Sequence, residues 1–498
     1  MAIRLHSSQH KDRLSTALDH MPDGPVQGAE GRVTGKLPQG VTNRELYSDV
    51  VRIAWPGFVE LILTQLASMV DLMMVGSIGG AEHTVLGAQA LSAVGLTNQP
   101  KFLLMAAFIA MNTGVTAMVA RCKGTGEREK ANLVVRQGLL FTFVSTLILS
   151  IIGIIFSRPM VIFMGSTEET VTLWATQYLQ IQLAGFLTMA LTSTITAALR
   201  GVGDSRSSMI YNLIANAVNV VFNYLLIYGN FGFPEMGVAG ASIATVIGQL
   251  VAFVIALGII LRGNGFLKLE MKKGFRWHAE TMGDLLHIGL PSMVEQLLMR
   301  VGMIVFSITV ASLGTLAFAT HQICMNIQAL SFMLGQAFAI SSTTLVGQSL
   351  GKQRPDMAEA YCSRCQRIGM VISLLLTLLF ALFGGQIVAM YNQDPQIIAM
   401  GRTIMLFLAF VQPFQASQFI VAGGLRGAGD TRATAVITTI TMMIIRPVLA
   451  LILVAMGLGI YGAWIALAAD QMTRTLLVFV RYRRGKWKTI RLKSESGK

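Results

Sequence analysis

The 498-residue sequence is poor in charge. Only 13% of its residues are Asp, Glu, Lys or Arg, against about 25% in soluble domains, and 53% are hydrophobic. The mean hydropathy is +0.61. Cysteine is scarce as well. There are four: Cys122, Cys324 and the Cys362-Ser-Arg-Cys365 pair. One CxxC with no second pair is no zinc site, and the pair is read as two reduced thiols at the start of a helix. No GK[ST] phosphate loop, HExxH or GxSxG is present, so ATP-driven transport and the commonest hydrolase sites find no support. No enzyme activity, cofactor or resident metal is expected.

What is present is apolar sequence in long runs. From about residue 50 to 480 they recur too often for one soluble core. Twelve membrane-spanning helices are expected, over 50–75, 86–120, 134–157, 170–199, 207–229, 237–262, 284–311, 317–350, 367–391, 396–425, 433–457 and 460–481. The formal net charge is +14, which could suggest nucleic acid as partner. The basic residues instead crowd every second loop: 121–136, 200–206, 262–276, 352–367, 426–432 and the tail from Arg481. That alternation is the positive-inside pattern, and it puts both termini in the cytoplasm. The expected partners are the lipid bilayer and small molecules, not nucleic acid, and the expected assembly is a monomer. Residues 1–47 are polar, lack a signal-peptide apolar core, and read as a disordered cytoplasmic tail. Residues 483–498 form a second, basic one.

The chain repeats itself. "LRGVGDSR" at 199–206 returns as "LRGAGDTR" at 425–432. "IAWPGFVE" at 53–60 returns as "IGLPSMVE" at 288–295, and "GVAGASIATVIGQ" at 237–249 as "GIYGAWIALAADQ" at 459–471. Two six-helix lobes follow, 48–262 and 284–482, joined by the basic linker 263–283. Six is even, so the second lobe enters the membrane from the same side. The lobes are then parallel repeats related by a pseudo-two-fold along the membrane normal, the plan of a secondary transporter. A channel would need a ring of equivalent groups. In the repeated LRGxGD, Gly201, Gly203, Gly427 and Gly429 permit tight turns and are candidate hinge or gate positions. Arg200, Arg206, Arg426 and Arg432 are expected to anchor the turns at the interface. Asp204 and Asp430 are expected to cap the helices that follow.

Among the polar residues inside the spans, Asp71 is the most exceptional. An Asp at a helix centre costs about 2.5–3.5 kcal/mol to insert, so it must face protein or water. A carboxylate there can exchange a proton or take up Na⁺. Asn212, Asn216, Asn219 and Asn223 share one helix face by their 4-3-4 spacing. They line either a polar cavity or a helix seam. Asn212 and Asn216 are assigned to the seam. Glu60 and Glu295 each follow a repeat proline by four residues. Glu60 is read as structural. For Glu295 the alternatives are a cation or substrate, pairing with Arg300, and capping of broken backbone. Arg446 and Asp470 also lie in spans, with Arg474 an i, i+4 partner for Asp470. His321 reads as a packed polar residue. Lys101 either faces the cleft or snorkels. The 29 methionines suit packing or an adaptable cleft wall.

"VDLMMVGSIGG", "LRGVGDSR", "VNVVFNYLLIYGNFGFPEMGVAGASIAT", "LGTLAFATHQICMN" and "LRGAGDTR" resemble the multidrug and toxic compound extrusion (MATE) family, in its bacterial NorM/DinF-like form. The resemblance covers about residues 48–482. It implies antiport of organic, often cationic compounds against H⁺ or Na⁺ across the bacterial inner (plasma) membrane. It implies ion coupling at Asp71, which keeps the family's distance of fifteen residues from Pro56, with Asn219 and Asn223. Counting from Pro291 puts Met299 where the NorM-type second-lobe acid stands, and Gln415 where a further Asp stands. With Glu295, these are the cleft candidates for cation or substrate. The alternatives are a flippase of lipid-linked intermediates, which would need a strongly basic cleft, and a non-transport membrane sensor or enzyme.

Overall fold

A computed structural model of the chain describes residues 16–21, 33, 37–78, 84–166, 168–263, 265–270 and 274–490. Much of the expected 1–47 tail, and residues 491–498 of the second tail, lie outside the described residues. Among the described residues, all the long elements are helices: α1 Asn43–Gly76, α2 Thr84–Thr125, α3 Arg128–Ile155, α4 Ser157–Phe163, α5 Glu169–Ala184, α6 Phe186–Gly201, α7 Ser205–Tyr228, α8 Gly237–Arg262, α9 Ala279–Ala311, α10 Thr315–Gly351, α11 Pro355–Ala389, α12 Pro395–Gly427, α13 Thr431–Ile440, α14 Arg446–Leu453 and α15 Gly459–Arg483.

Among the described residues, nine stretches are long and apolar enough to cross a membrane by themselves, and two bent pairs bring this to eleven. The bends fall within α2 (42°) and between α5 and α6 (49°). One of the nine is Thr431–Arg483, 53 residues long. At 1.5 Å per residue it measures about 80 Å, over twice a bilayer's apolar thickness. It breaks at Gly457 and Gly459, both at positive φ (88° and 52°), which glycine adopts without strain. Counted as two passes, it completes the expected twelve.

The helices gather into two compact units. The first holds the described residues within 59–115 and 128–286; the second holds those within 12–58, 116–127 and 287–498. The division therefore does not fall at the linker alone. α1 and α2 run for 34 and 42 residues, well beyond a bilayer's thickness. Their ends, 43–58 and 116–127, belong to the second unit. The linker packs on the first unit: Leu267 is buried, and Gln137 is bonded to the Arg276 carbonyl (2.6 Å) and the His278 amide (3.0 Å).

Within the second unit, parts of both expected tails are ordered. Thr16 and Asp19 form a capping box around the short turn Ala17–His20. Leu18 is buried beside Leu46, Val50 and Tyr361. The Ala17 amide donates to Asp49 at 2.8 Å, and Lys352 Nζ to the Leu18 carbonyl at 2.8 Å. At the other end, Trp487 stacks on Tyr482 at 5.2 Å, and Lys488 pairs with Glu359 at 2.9 Å. One apolar anchor in each polar segment, Leu18 or Trp487, supplies burial that composition alone does not reveal.

Candidate functional site

The two units carry the same buried ion pair. In the first, Arg200 donates to Glu60 at 2.8 Å; Ser208 (3.1 Å) and Asn212 (2.7 Å) also donate to that carboxylate. In the second, Arg426 donates to Glu295 at 2.7 Å, with Thr434 (3.4 Å) and Thr438 (3.2 Å). Ser208 and Thr434 each stand eight residues after the arginine, Asn212 and Thr438 twelve. Arg200 and Arg426 therefore each tie the end of their helix to a carboxylate one turn beyond the repeat proline. A guanidinium can bridge several acceptors at once, which suits this place. Glu295 is only 2% exposed and takes Arg426, not Arg300, as its partner.

The LRGxGD turns are closed by backbone bonds from Asp204 to Leu199 (2.9 Å) and from Asp430 to Leu425 (2.8 Å). Gly203 and Gly429 hold positive φ (91° and 83°). Gly201 and Gly427 instead end helices α6 and α12. A Cβ on Gly427 would lie 2.3 Å from the Thr343 carbonyl oxygen, so this glycine serves close helix approach. Asp204 caps α7 through Ser207, as expected. Asp430 does not cap α13: it accepts from Arg481 at 2.7 Å, a partner 51 residues away that outcompetes a local bond.

Asp71 lies at the far end of a seam between α1 and α7. Asn212 donates to Glu60, Asn216 to Thr64 (3.3 Å) and Asn223 to Asp71. Each pair is separated by 152 residues, as two parallel helices in register require. Asn219 also reaches Asp71. With its amide oxygen turned to accept from Thr245, its nitrogen donates to Asp71 Oδ1 at 2.8 Å. The structure thus brings together the three residues expected to couple ions. Asn223 Oδ1 is buried with no protein partner, an oxygen ligand free for a hard cation. Gly248 makes room here: a Cβ on it would lie 3.1 Å from Asn219 Cβ. Lys101 does not snorkel. Its Nζ donates to Gln182 Oε1 at 3.0 Å inside the same unit.

Of the second unit's cleft candidates, Glu295 is held by Arg426. Gln415 is buried, accepts from Gln328 at 3.4 Å, and lines a small pocket with Ser331, Phe338, Gln412 and Phe419. Neither Glu295 nor Met299 lines that pocket.

The counterpart of the Asp71 cluster is chemically different. Phe306, fifteen residues after Pro291 as Asp71 is after Pro56, takes the place of the acid. A π-helical turn, Thr441–Ile445, precedes α14 and lets one extra residue into the register. Arg446 therefore stands where Asn219 stands in the first unit. Asp470 holds the position of Gly248 in the aligned repeats. The contacts match this register: a Cβ on Gly248 would meet Asn219, and Asp470 pairs with Arg446 at 2.5 Å. Arg474 joins at 2.6 Å, and Arg446 lies over the Phe306 ring at 5.5 Å. His321 packs between Phe306 and Trp464, at 5.5 and 5.6 Å between ring centres.

Comparison with known proteins agrees with the repeat. The MatE family model matches twice, at residues 56–225 and 291–452, each match starting at the repeat proline. The probable multidrug resistance protein NorM of Thermotoga maritima is 28% identical over 447 residues, 89% of this chain and 93% of the relative. The multidrug resistance protein PmpM of Pseudomonas aeruginosa is 30% identical over 412 residues, 81% and 83% of the two chains. A solved MOP superfamily transporter from Pyrococcus furiosus superposes with a TM-score of 0.80 at 21% identity, covering 94% of this chain and all of the other. A MATE structure in the bent conformation also gives 0.80 at 21% identity, covering 90% and 97%. With its twelve-helix, two-unit fold and the family model matched in both repeats, the chain belongs to the MatE family of multi-pass membrane transporters, and it is not an enzyme.

Proposed function

We propose that the protein is a secondary antiporter that exports organic, often cationic compounds in exchange for H⁺ or Na⁺, and that the exchange is coupled at Asp71. The observation that carries this reading is the pair of α7 asparagines converging on one intramembrane carboxylate. The carboxylate can hold a proton, or, with Asn223 Oδ1, supply oxygen ligands to Na⁺. The names of its relatives, multidrug resistance proteins, support the substrate class. The basic alternate loops support insertion in a bacterial plasma membrane with both termini cytoplasmic. The intramembrane acid and the relatives' names favour this reading over a lipid-linked flippase.

The geometry suggests how coupling works. Asp71 empty and charged is held by Asn219 and Asn223 donors on α7. Loading it with H⁺ or Na⁺ weakens or redirects those bonds, so occupancy is transmitted along the α1–α7 seam. Glu60 at the other end of the seam stays fixed by Arg200, and acts as the anchor. The test is export of a fluorescent organic cation from proteoliposomes under an imposed proton gradient and, separately, a Na⁺ gradient. Wild type should respond to one or both. Asp71→Asn should respond to neither while still binding substrate. Response to neither gradient by wild type would overturn the reading.

A further inference from the structure

We propose that the second unit binds one small monovalent anion of halide size among Arg446, Trp464 and His321. The charges do not balance there. Two guanidiniums, Arg446 and Arg474, face one carboxylate, Asp470, and all three are at most 4% exposed. Both carboxylate oxygens are already engaged: Oδ2 by Arg446 and Arg474, Oδ1 by Arg474. Arg474 Nε is held by Thr441 at 3.0 Å. Among the described residues, Asp470 is the one carboxylate in an ion pair with either arginine. Glu295, reached by Thr438 one turn along, is committed to Arg426. One positive charge is left over within membrane-spanning helices, where an uncompensated guanidinium is strongly disfavoured.

A second observation points to a ligand. The Trp464 indole N–H is fully buried and has no partner, and neither has His321 Nδ1. Buried donors are almost always satisfied. Both rings belong to the chain of contacts that runs from Arg446 over Phe306 to His321 and Trp464. An anion at this place would accept from the indole and balance the surplus guanidinium charge. His321 adds a second donor in the tautomer that carries its hydrogen on Nδ1. The residues are packed ring against ring, which favours a monatomic anion over an organic substrate.

The place gives the proposal its meaning. It is the second unit's counterpart of the Asp71 cluster. The first unit presents a carboxylate to a cation; the second presents built-in cations to an anion.

The experiment is thermal unfolding of the purified full-length protein in detergent at constant ionic strength, with gluconate replaced stepwise by chloride, bromide or formate. The midpoint should rise with chloride and bromide along a saturable curve, as ligand linkage requires. Arg446→Met leaves the neutral Asp470–Arg474 pair, and should lose the halide response at least tenfold in apparent affinity. Phe306→Asp sets a carboxylate against Arg446, and should lose it likewise; it serves if Arg446→Met does not fold. Iodide quenching of Trp464, read as wild type minus Trp464→Phe, should saturate over the same range. A wild-type midpoint equal in chloride and gluconate would overturn the proposal. So would a halide response unchanged in the variants, which would assign it to the protein surface. A response to formate with none to chloride would assign the site to carboxylates and overturn the halide.

Discussion

The two units share a frame and differ at its centre. Glu60–Arg200 and Glu295–Arg426 join the same residue types, and in each a hydroxyl eight residues beyond the arginine donates to the carboxylate. Beyond the matched pair, the first unit continues into Asp71 with Asn219 and Asn223, while the second continues into Phe306 with Arg446 and Asp470. Duplication supplied the scaffold twice. Different residues at several matched positions, with a π-helical turn at Thr441–Ile445, put a carboxylate at the centre of one copy and two arginines at that of the other. The matched pairs then read as scaffold, and the unmatched clusters as the places where the units differ in function.

That division can be broken at several points. The largest structural effect is expected from the matched pairs. Glu60→Ala or Glu295→Ala leaves a guanidinium without its partner among helices and should cost about 3–5 kcal/mol. Thermal unfolding should show both variants losing a similar amount; a loss confined to one would deny that the pairs are equivalent. Gly427→Ala comes next. Its Cβ would meet the Thr343 carbonyl at 2.3 Å, so α10 and α12 must separate. A loss of about 1–3 kcal/mol is expected, by analogy with overpacking a core. Among the seam asparagines, Asn216→Leu should be nearly silent, about 0.6 kcal/mol for one interhelical bond, and should leave coupling intact. Asn223→Leu should cost no more in stability and yet impair gradient-driven export severalfold. Equal transport by the two variants would reduce the whole seam to packing. The smallest effect is expected from Lys352→Ala, which removes the lysine's bonds to the Leu18 and Met21 carbonyls. Limited proteolysis near residue 20 should speed up while export changes by less than twofold.

The architecture was legible because its signals are local. Apolar runs, Pro56 and Pro291, and the LRGxGD turns each declare themselves within a few residues. The Asn stripe was legible for the same reason, since 4-3-4 spacing fixes a shared face. Partners were not. Arg200 finds Glu60 140 residues away, and nothing near either residue names the other. Asp430 looked like Asp204 in sequence, yet Arg481 captures it. The π turn also escaped. Its one sign is Arg446-Pro447, where proline lacks the N–H that a regular α-turn would use. Leu18 and Trp487 were hidden by the polar composition around them.

The account rests on Asp71 being the residue through which a gradient drives export. The direct measurement is initial-rate efflux of a fluorescent organic cation from proteoliposomes, for wild type and Asp71→Asn, under an imposed H⁺ or Na⁺ gradient. Binding of the same compound to each purified protein is measured alongside. The account predicts that Asp71→Asn folds, keeps measurable binding and loses gradient-driven flux by at least tenfold. Flux in Asp71→Asn equal to wild type, against a concentration gradient, would contradict it.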